Sequence, residues 1–409
     1  MNDPRPTSRA SLAVLLVFSF ALRLAWGLWQ PAQIDSRLPD QAEYLQLGRN
    51  LLHNHQFSFF DERFGQEVRA YRTPGYPVLI AACGGNVRVL RIVQAVIDTS
   101  TVLAAFLLAR RWLTPGGSMA TAIFVAVNPF LVYFSGLVLS ETLFTAMLTW
   151  GVVLLVRRPG YVLGGVVLAL SVLVRPSAVA LPVILGCATR ILCPSPAKPG
   201  GLAAVGLGMV LITVAVTFPW ALRNRAVLGE WVWLTTNNGI TRYDGFNPGA
   251  TGASDQSFLA RPELRFLSRL SETGRDRTLS SLADEFVRCQ WRQNPSGLLR
   301  LSLLKIARTW SPVPLSSEFG SRRLYLIVAI AYAVPSYLAG LAGILFGKLP
   351  ARGRFLLIVP ALYYTAVHAA SVGSLRYRIP VEPILAVLAG AGIAWMIERL
   401  SPRSRPDNA

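Results

Sequence analysis

Pro39-Asp40-Gln41-Ala42-Glu43-Tyr44 is the stretch around which the rest of the chain is organised. It follows the first long apolar segment and opens a polar region, so its two carboxylates stand where a membrane span meets water. One interpretation is a capping box, in which Asp40 caps a helix from Gln41 and Glu43 reaches back. The other makes Asp40 a general base, and the two are compatible because a helix N-terminus favours the ionised carboxylate.

The composition is that of an integral membrane protein. Of 409 residues, 53% are hydrophobic and 15% charged, and apolar runs of about 18 or more residues recur along the chain. The net charge of +19 is spread between the apolar runs, which argues against nucleic acid and for loop topology and anionic lipid or lipid phosphate. No zinc site or disulfide framework is predicted from Cys83, Cys187, Cys193 and Cys289.

Hydropathy predicts an all-α polytopic membrane protein, a single integral membrane domain with about ten transmembrane helices. The N-terminus resembles a signal peptide, but its apolar run is too long for one, so we predict a retained first span. Arg23 interrupts that span and must face the bundle or reach the outer surface. The predicted spans are 10–30, 88–109, 117–135, 139–156, 160–174, 176–193, 201–221, 322–346, 354–372 and 378–397.

The charges of the short loops predict the orientation. With Arg5 and Arg9 inside, both termini are cytoplasmic and the chain belongs in the cell membrane. Residues 31–87, with juxtamembrane helices, and the large loop 222–320 then lie outside. Within that loop, Pro295 to Trp310 is predicted to form an amphipathic helix at the membrane surface. The other basic residues that support this count are Arg110, Arg111, Arg157, Arg158, Arg190, Lys198, Lys348, Arg352, Arg354, Arg399, Arg403 and Arg405.

Three further titratable groups stand in or beside the predicted spans. Glu141 follows Ser140 at the start of the fourth span; it is either a helix-start carboxylate or a functional group held at membrane depth. For Asp98, deep in the second span, a buried contact to a neighbouring helix is favoured over a functional role. His368 is interpreted as an interior histidine rather than a ligand.

Arginines gather on the predicted outer side. Arg376 and Arg378 begin the last span, and Arg72 and Arg175 lie at the same level. Arginine matches phosphate with a two-pronged set of donors. Anchoring at the membrane interface is the alternative. Arginine clustered outside is unusual under the positive-inside rule, which favours phosphate binding.

With these residues in place, the chain resembles the glycosyltransferase-C superfamily. The similar branch is that of the protein O-mannosyltransferase-like and aminoarabinose-transferase-like enzymes, of glycosyltransferase family 39 type. The resemblance covers most of the chain, through the order of its motifs and their shared outer position. The motifs are Pro39 to Tyr44, Arg72 to Pro77, Asn128-Pro129 leading to Ser140-Glu141, Pro219 to Asn224 with Gly229, Asn247 to Gly252, and Arg376 to Pro380.

The resemblance implies transfer of a sugar from a polyprenyl-phosphate donor, usually with inversion, on the extracytoplasmic face. It implies that Asp40 is an essential first-loop aspartate and that Glu141 is a second acidic residue, and we predict both as catalytic. A base on one side of the anomeric carbon and arginines on the leaving phosphate suit this reaction. The predicted substrate-binding residues are Glu43, Tyr44, Arg72, Tyr76, Arg175, Arg376 and Arg378.

The predicted partners are the polyprenyl-phosphate sugar, membrane lipids and an acceptor that is a lipid, a glycan or a protein. Gln41 stands where the family has an acidic neighbour of the first aspartate, and no carboxylate lies near Arg72-Thr73. The sequence therefore supports no metal site. A polytopic transporter or lipid flippase is the alternative; it would show ionisable residues near the midplane in paired halves, and only Asp98 is deep. A non-catalytic membrane assembly protein is a second alternative.

Overall fold

The structure is a computed structural model that describes residues 9–34, 38–157, 161–192, 201–315 and 323–400. Several residues used above lie outside these ranges. They are Cys193 and the basic residues Arg5, Arg158, Lys198, Arg403 and Arg405.

Helices dominate the described chain, as predicted for an all-α membrane protein. One short antiparallel hairpin, which the sequence analysis did not predict, joins β1 (Phe59–Asp61) to β2 (Gln66–Val68). The helices are α1 Arg9–Trp29, α2 Pro39–Asn54, α3 Gly75–Ala82, α4 Val87–Ala109, α5 Pro115–Ala126, α6 Pro129–Ser135, α7 Glu141–Val156, α8 Tyr161–Val172, α9 Leu181–Leu192, α10 Leu202–Leu228, α11 Asn238–Gly245, α12 Glu272–Gln293, α13 Pro295–Thr309, α14 Arg323–Leu345, α15 Ala351–Ala369 and α16 Glu382–Leu400. Short 3-10 turns are Pro176–Ala178, Gln256–Ala260, Pro262–Arg269, Leu375–Tyr377 and Ile379–Val381.

The protein is a membrane protein, but about ten spans are not confirmed. Within the described residues, five segments are long and apolar enough to cross a bilayer, and a sixth if α5 and α6 count as one bent span. Three further apolar pieces, Glu141–Val156, Tyr161–Val172 and Pro176–Leu192, are shorter. The five segments are Arg9–Trp29, Val87–Ala109, Leu202–Leu228, Arg323–Leu345 and Leu375–Leu400.

The third predicted span is broken at Asn128-Pro129, where α5 and α6 meet at a bend of 48°. Asn128 caps α6 by accepting from two backbone amides, and Pro129 cannot continue a helix. Arg23 donates to the carbonyl oxygens of Val125 and Ala126, at 3.1 and 2.8 Å, which lost their helical partners at the break.

Arg23 also settles two of the sequence alternatives. Its Nε donates to Asp98 Oδ2 at 2.5 Å, and both side chains are buried. Arg23 therefore faces the bundle rather than the outer surface. The predicted contact of Asp98 with a neighbouring helix is confirmed, and its partner comes from the first span.

Small residues let α16 pack tightly between α5 and α14. A Cβ atom on Gly390 would collide with Thr121 Oγ1, and one on Gly392 would collide with the Ala339 carbonyl oxygen. Close backbone approach of this kind is how helices associate in lipid, where apolar burial drives them together only weakly. It holds firm the helix that follows the Arg376 turn.

The two long polar segments share one hydrophobic core. Phe57, Phe59 and Tyr71 of the first pack with Tyr243 and Phe258 of the second. A charged anchor reinforces this packing: the Glu272 carboxylate accepts from the backbone amides of Arg69 and Ala70, at 2.7 and 2.9 Å. The hairpin and the segment after α10 are therefore one unit, although they are far apart in sequence.

The amphipathic helix predicted at Pro295 to Trp310 is present as α13, but its lysine is not at the surface. Leu299, Leu303 and Leu304 are exposed on one face, whereas Lys305 is fully buried with its Nζ 3.3 Å from the centre of the Phe246 ring. The lysine points toward the protein because the 244–254 loop covers that face. The apolar face remains open, as expected of a helix lying at a bilayer surface.

Candidate functional site

The first turn of α2 is held against the turn that precedes α7. Gln41 is buried, and its side-chain oxygen accepts from the backbone amide of Val138 at 2.9 Å. Pro39 is the first residue of the helix, where a missing amide does no harm. This contact places Asp40 near the start of α7, which begins at Glu141.

The predicted capping box is wrong. The residue before the helix is Leu38, and its side chain makes no capping hydrogen bond. Because the helix already begins at Pro39, Asp40 and Glu43 lie within it and cannot cap it, and they turn toward arginines instead. Asp40 is still in the first helical turn, where its negative charge is favoured.

Asp40 is bridged by two arginines from distant parts of the chain. Arg72 Nη2 donates to Oδ1 at 2.6 Å, and Arg376 Nη1 donates to Oδ2 at 2.7 Å. Burial by itself would raise the pKa of Asp40, but the two guanidinium groups outweigh it and hold the pKa well below its usual value. The side chain is 27% exposed, more than either neighbouring carboxylate.

Glu43 lies deeper and is held between two arginines. Arg72 donates to its Oε2 through Nε at 2.8 Å and also through Nη2, and Arg63 Nη2 donates to Oε1 at 3.0 Å. Burial raises the pKa of Glu43, and the arginines offset this only in part, since the charge on Asp40 acts in the same direction as burial. The two carboxylates are therefore pushed apart in pKa, Asp40 down and Glu43 up.

Glu141 is fully buried at the start of α7. Arg376 Nε donates to its Oε1, and Arg175 Nη2 lies 3.6 Å from the same oxygen. Its other oxygen is buried and has no hydrogen-bond partner among the described residues. Glu141 thus fixes Arg376 through a different guanidinium nitrogen from the one that binds Asp40. No solvent reaches the Glu141 side chain.

Aromatic rings frame the arginines. The guanidinium of Arg72 lies 5.1 Å from the ring centre of Tyr44 and 5.2 Å from that of Tyr71. Arg175 lies between the rings of Phe144 and Tyr377, at 5.9 and 5.8 Å. Flat aromatic faces favour such cations and restrict their orientation.

Tyr76 and His368 pack against two of these aromatic rings. Tyr76 is fully buried and donates its hydroxyl hydrogen to Gln94 at 2.6 Å, while its ring packs edge-on against Tyr44. His368 stacks on Tyr377 with ring centres 3.8 Å apart. The interior packing predicted for His368 is confirmed. Tyr76 is buried as part of the support beneath Tyr44.

Arg378, although predicted with Arg376, lies in a different environment. Its Nε donates to Glu382 at 2.7 Å, Nη1 donates to the carbonyl oxygen of Ser311, and the side chain is fully buried. Its guanidinium lies 4.9 Å from the ring centre of Phe130. A 3-10 turn turns the two arginines of Arg376-Tyr377-Arg378 in different directions, so the structure does not bring Arg378 to Asp40.

The sequence analysis missed two members of the site, Asp61 and Arg63. Asp61 ends β1 and Arg63 lies in the turn that follows, and both extend the row of alternating charges beyond Glu43. The available signal was Asp61-Glu-Arg-Phe-Gly65, a turn sequence between two short runs of strand-forming residues. Gly65 adopts the left-handed conformation, φ +63°, that such turns require.

The residues present do not fit a metal ion. Asp40, Glu43 and Glu141 are each already engaged by guanidinium groups. Within the part of the chain that the structure describes, no group of three or more His, Cys, Asp or Glu side chains is arranged to hold a metal. The donor set is instead one for an anion, because guanidinium groups can exchange a carboxylate for a phosphate oxygen.

Chemically, the cluster presents two guanidinium groups beside one partly accessible carboxylate. An anion that reached Arg72 and Arg376 would compete directly with Asp40 for their N–H groups. Displaced from the arginines, Asp40 would recover the basicity that the ion pairs remove. The arrangement can thus couple the binding of a phosphate to the availability of a base.

No known protein-family model matches this sequence, and no curated protein does so either. Solved structures do match. The archaeal oligosaccharyltransferase AglB from Archaeoglobus fulgidus, in complex with an inhibitory peptide and a dolichol-phosphate, superposes with a TM-score of 0.58 over 95% of this chain and 50% of its own, at 13% identity. Its apo form gives 0.58 over 96% and 51%, also at 13% identity.

ArnT from Cupriavidus metallidurans bound to undecaprenyl phosphate covers 96% of this chain and 79% of its own, at 12% identity. Its TM-score of 0.40 is too low to establish a shared fold. The oligosaccharyltransferase match confirms the predicted glycosyltransferase-C fold. This chain spans about half the length of that protein, and at such low identity the likeness concerns the fold alone.

Proposed function

We propose that this chain is a membrane glycosyltransferase that moves a sugar from a polyprenyl-phosphate donor to a lipid, glycan or protein acceptor. The observation that carries the proposal is the bridging of Asp40 by Arg72 and Arg376. Three segments, far apart in sequence, converge to place two guanidinium groups, which can bind one phosphate, beside one carboxylate. The glycosyltransferase-C fold supports the same class of reaction.

In the proposed mechanism the donor phosphate occupies the N–H groups that Asp40 holds in the free protein. Arg72 and Arg376 then stabilise the charge that develops on the leaving lipid phosphate. Asp40, released from them, accepts the proton of the acceptor hydroxyl as that oxygen attacks the anomeric carbon. Attack from the face opposite the phosphate inverts the configuration. The transferred sugar is a hexose or a pentose in this proposal.

The remaining polar groups take supporting roles. Arg175 and Glu141 hold Arg376 in place, and Glu43 holds Arg72. Arg378 anchors the end of the same turn through Glu382 rather than contacting substrate. The tight fit of these pairs explains why a buried carboxylate such as Glu141 is tolerated, since a buried charge without a partner is strongly destabilising.

The orientation is part of the proposal. We place the chain in the cell membrane with both termini cytoplasmic and with the unit that joins 31–87 to 222–320 on the extracytoplasmic face. The shared core of those two segments supports their lying on one side of the bilayer. Their many arginines are then available to anionic lipid and to the lipid-linked donor.

A transporter or flippase is less well supported. Asp98, the deep carboxylate that such a function would need, is ion-paired to Arg23, which also satisfies the broken end of α5. That pair has a structural explanation. The Asp40 side chain, by contrast, is partly accessible to solvent.

The test is a transfer assay with a panel of polyprenyl-phosphate sugars, scoring release of the lipid phosphate from purified protein in bilayer discs. Asp40→Asn should reduce the rate by about 10²- to 10⁴-fold, the usual contribution of a general base. Asp284→Asn, which changes an exposed carboxylate paired with Arg242, is the matched control and should retain the rate. No release with any donor, or an active Asp40→Asn protein, would sink the proposal.

A further inference from the structure

Arg63 lies outside every motif that pointed to the site. At the edge of the Asp40 cluster, however, its guanidinium forms hydrogen bonds to three different side chains. The carboxylate of Asp61, itself buried, accepts from the backbone amide of Arg63 at 3.0 Å and from its Nε and Nη2, both at 2.8 Å. An aspartate that binds its own chain two residues on fixes the turn. It also aims the guanidinium away from the hairpin.

The free edges of that guanidinium reach two other segments. Nη2 donates to Glu43 of α2 at 3.0 Å, and Nη1 donates to the side-chain oxygen of Gln256 at 2.8 Å. Gln256 begins a 3-10 turn whose Phe258 is buried against Tyr243, with ring centres 5.0 Å apart. Arg63 therefore joins the hairpin, the helix of the candidate base and the segment that follows α11.

The contact with Glu43 has a consequence for Asp40. Glu43 presents one oxygen to Arg63 and the other to Arg72, and Arg72 Nη2 is shared between Glu43 and Asp40. If Arg63 were lost, Arg72 would be the one remaining guanidinium group paired with the Glu43 carboxylate. Arg72 would be drawn toward Glu43 and away from Asp40.

We propose that Arg63 is a positioning residue. It neutralises one side of Glu43 so that Arg72 stays available to Asp40 and to a phosphate, and Gln256 holds Arg63 in that pose. The effect on turnover rests on the proposed glycosyltransferase function. The network itself does not, because its coupling is a property of the folded protein.

The first experiment is a double-mutant cycle measured by thermal unfolding of the purified protein. Arg63→Gln and Glu43→Gln are made singly and together, because residues in direct contact show non-additive effects and distant residues do not. We expect the second substitution to add little once the first is present. Arg69→Gln is the control, since Arg69 directly follows the hairpin and its side chain forms an exposed pair with Glu67 at 3.3 Å and no other ion pair among the described residues.

The second experiment measures transfer. Arg63→Gln should lower the rate by about tenfold, which corresponds to roughly 1.4 kcal/mol, and should move the acidic limb of the pH–rate profile to higher pH because Asp40 loses part of Arg72. Arg63→Lys should restore part of the rate, and Arg69→Gln should match the wild type. Gln256→Ala, which removes one restraint and leaves the Glu43 contact, should lower the rate by about threefold.

Each outcome decides something. Additive thermal effects of Arg63→Gln and Glu43→Gln, or an unshifted pH limb in an Arg63→Gln protein, would overturn the positioning role. A Gln256→Ala protein at the wild-type rate would remove Gln256 from it. If no donor turns over, the proposed function fails while the thermal cycle still tests the network.

Discussion

Replacing Asp40 by asparagine should change lipid-phosphate binding and sugar transfer in opposite directions. Asp40 holds N–H groups of Arg72 and Arg376 through two charge-assisted bonds, at 2.6 and 2.7 Å. A lipid phosphate must displace the carboxylate from those groups before it can bind. The asparagine side chain keeps nearly the same shape without the charge, so this competition is largely removed. The Asp40→Asn variant should therefore bind lipid phosphate more tightly while losing transfer.

The size of the effect follows from the same contacts. A hydrogen bond to a charged group contributes about 1.5–3 kcal/mol, and partial exposure of Asp40 to solvent argues for the lower end. Because the amide oxygen of asparagine still accepts one bond, we take the net gain as about 1.4 kcal/mol, or about tenfold in the dissociation constant.

The assay is equilibrium binding of a polyprenyl phosphate to wild-type and Asp40→Asn protein in bilayer discs, at one fixed salt concentration. Asp284→Asn serves as the control for a lost negative charge, since its carboxylate lies in an exposed pair. Weaker binding by Asp40→Asn than by wild type, with an unchanged thermal midpoint, would refute the idea that Asp40 competes with phosphate for the arginines.

Three further predictions concern groups outside that competition. Arg378→Met should lower the thermal midpoint, because it leaves the Glu382 side chain without its guanidinium partner. Breaking a buried pair of this kind costs about 3–5 kcal/mol. A large fall in the lipid-phosphate affinity of the folded Arg378→Met protein would contradict the placement of Arg378 away from the site. Asp98→Ala should destabilise by a similar amount, about 3–5 kcal/mol. Arg23→Met combined with Asp98→Ala should lose less stability in thermal unfolding than the sum of the two single losses, and additive losses would contradict the ion pair. Burial lowers the pKa of Lys305 from 10.5 to about 7 despite Asp244 nearby, so between those pH values the unfolded chain binds a proton that the folded chain does not. Stability should therefore rise with pH across that window, and the rise should be smaller in Lys305→Met when thermal midpoints are compared at pH 7 and pH 10.

Much of the fold could be predicted from local pattern. Apolar runs of spanning length predicted α1, α4 and α14 near their observed bounds, because hydropathy is a property of consecutive residues. The start of α10 was also predicted, but that helix continues to Leu228 into the stretch predicted as outer loop. The number of spans could not be predicted as well. Helices such as Glu141–Val156 are apolar but short, and their role depends on what they pack against rather than on their own sequence.

Most of the residues of the site were predicted from the sequence, but the contacts among them were not. Asp40, Glu43, Arg72 and Arg376 were named from their positions at span ends, and the structure brings them together. Arg378 has the same residue type two positions later, yet the 3-10 turn points it into a buried pair with Glu382.

By itself, the sequence determined that this is a helical membrane protein with carboxylates and arginines gathered near the predicted outer ends of its spans. Composition and spacing suffice for that, since both act over a few turns of chain. Only the tertiary structure decided how the Pro39 to Tyr44 stretch is used: as a carboxylate held between Arg72 and Arg376, and not as a helix cap. The reason is physical. Whether a carboxylate binds a nearby amide or a distant guanidinium depends on which donors the fold brings within about 3 Å, and those donors lie 32 and 336 residues away.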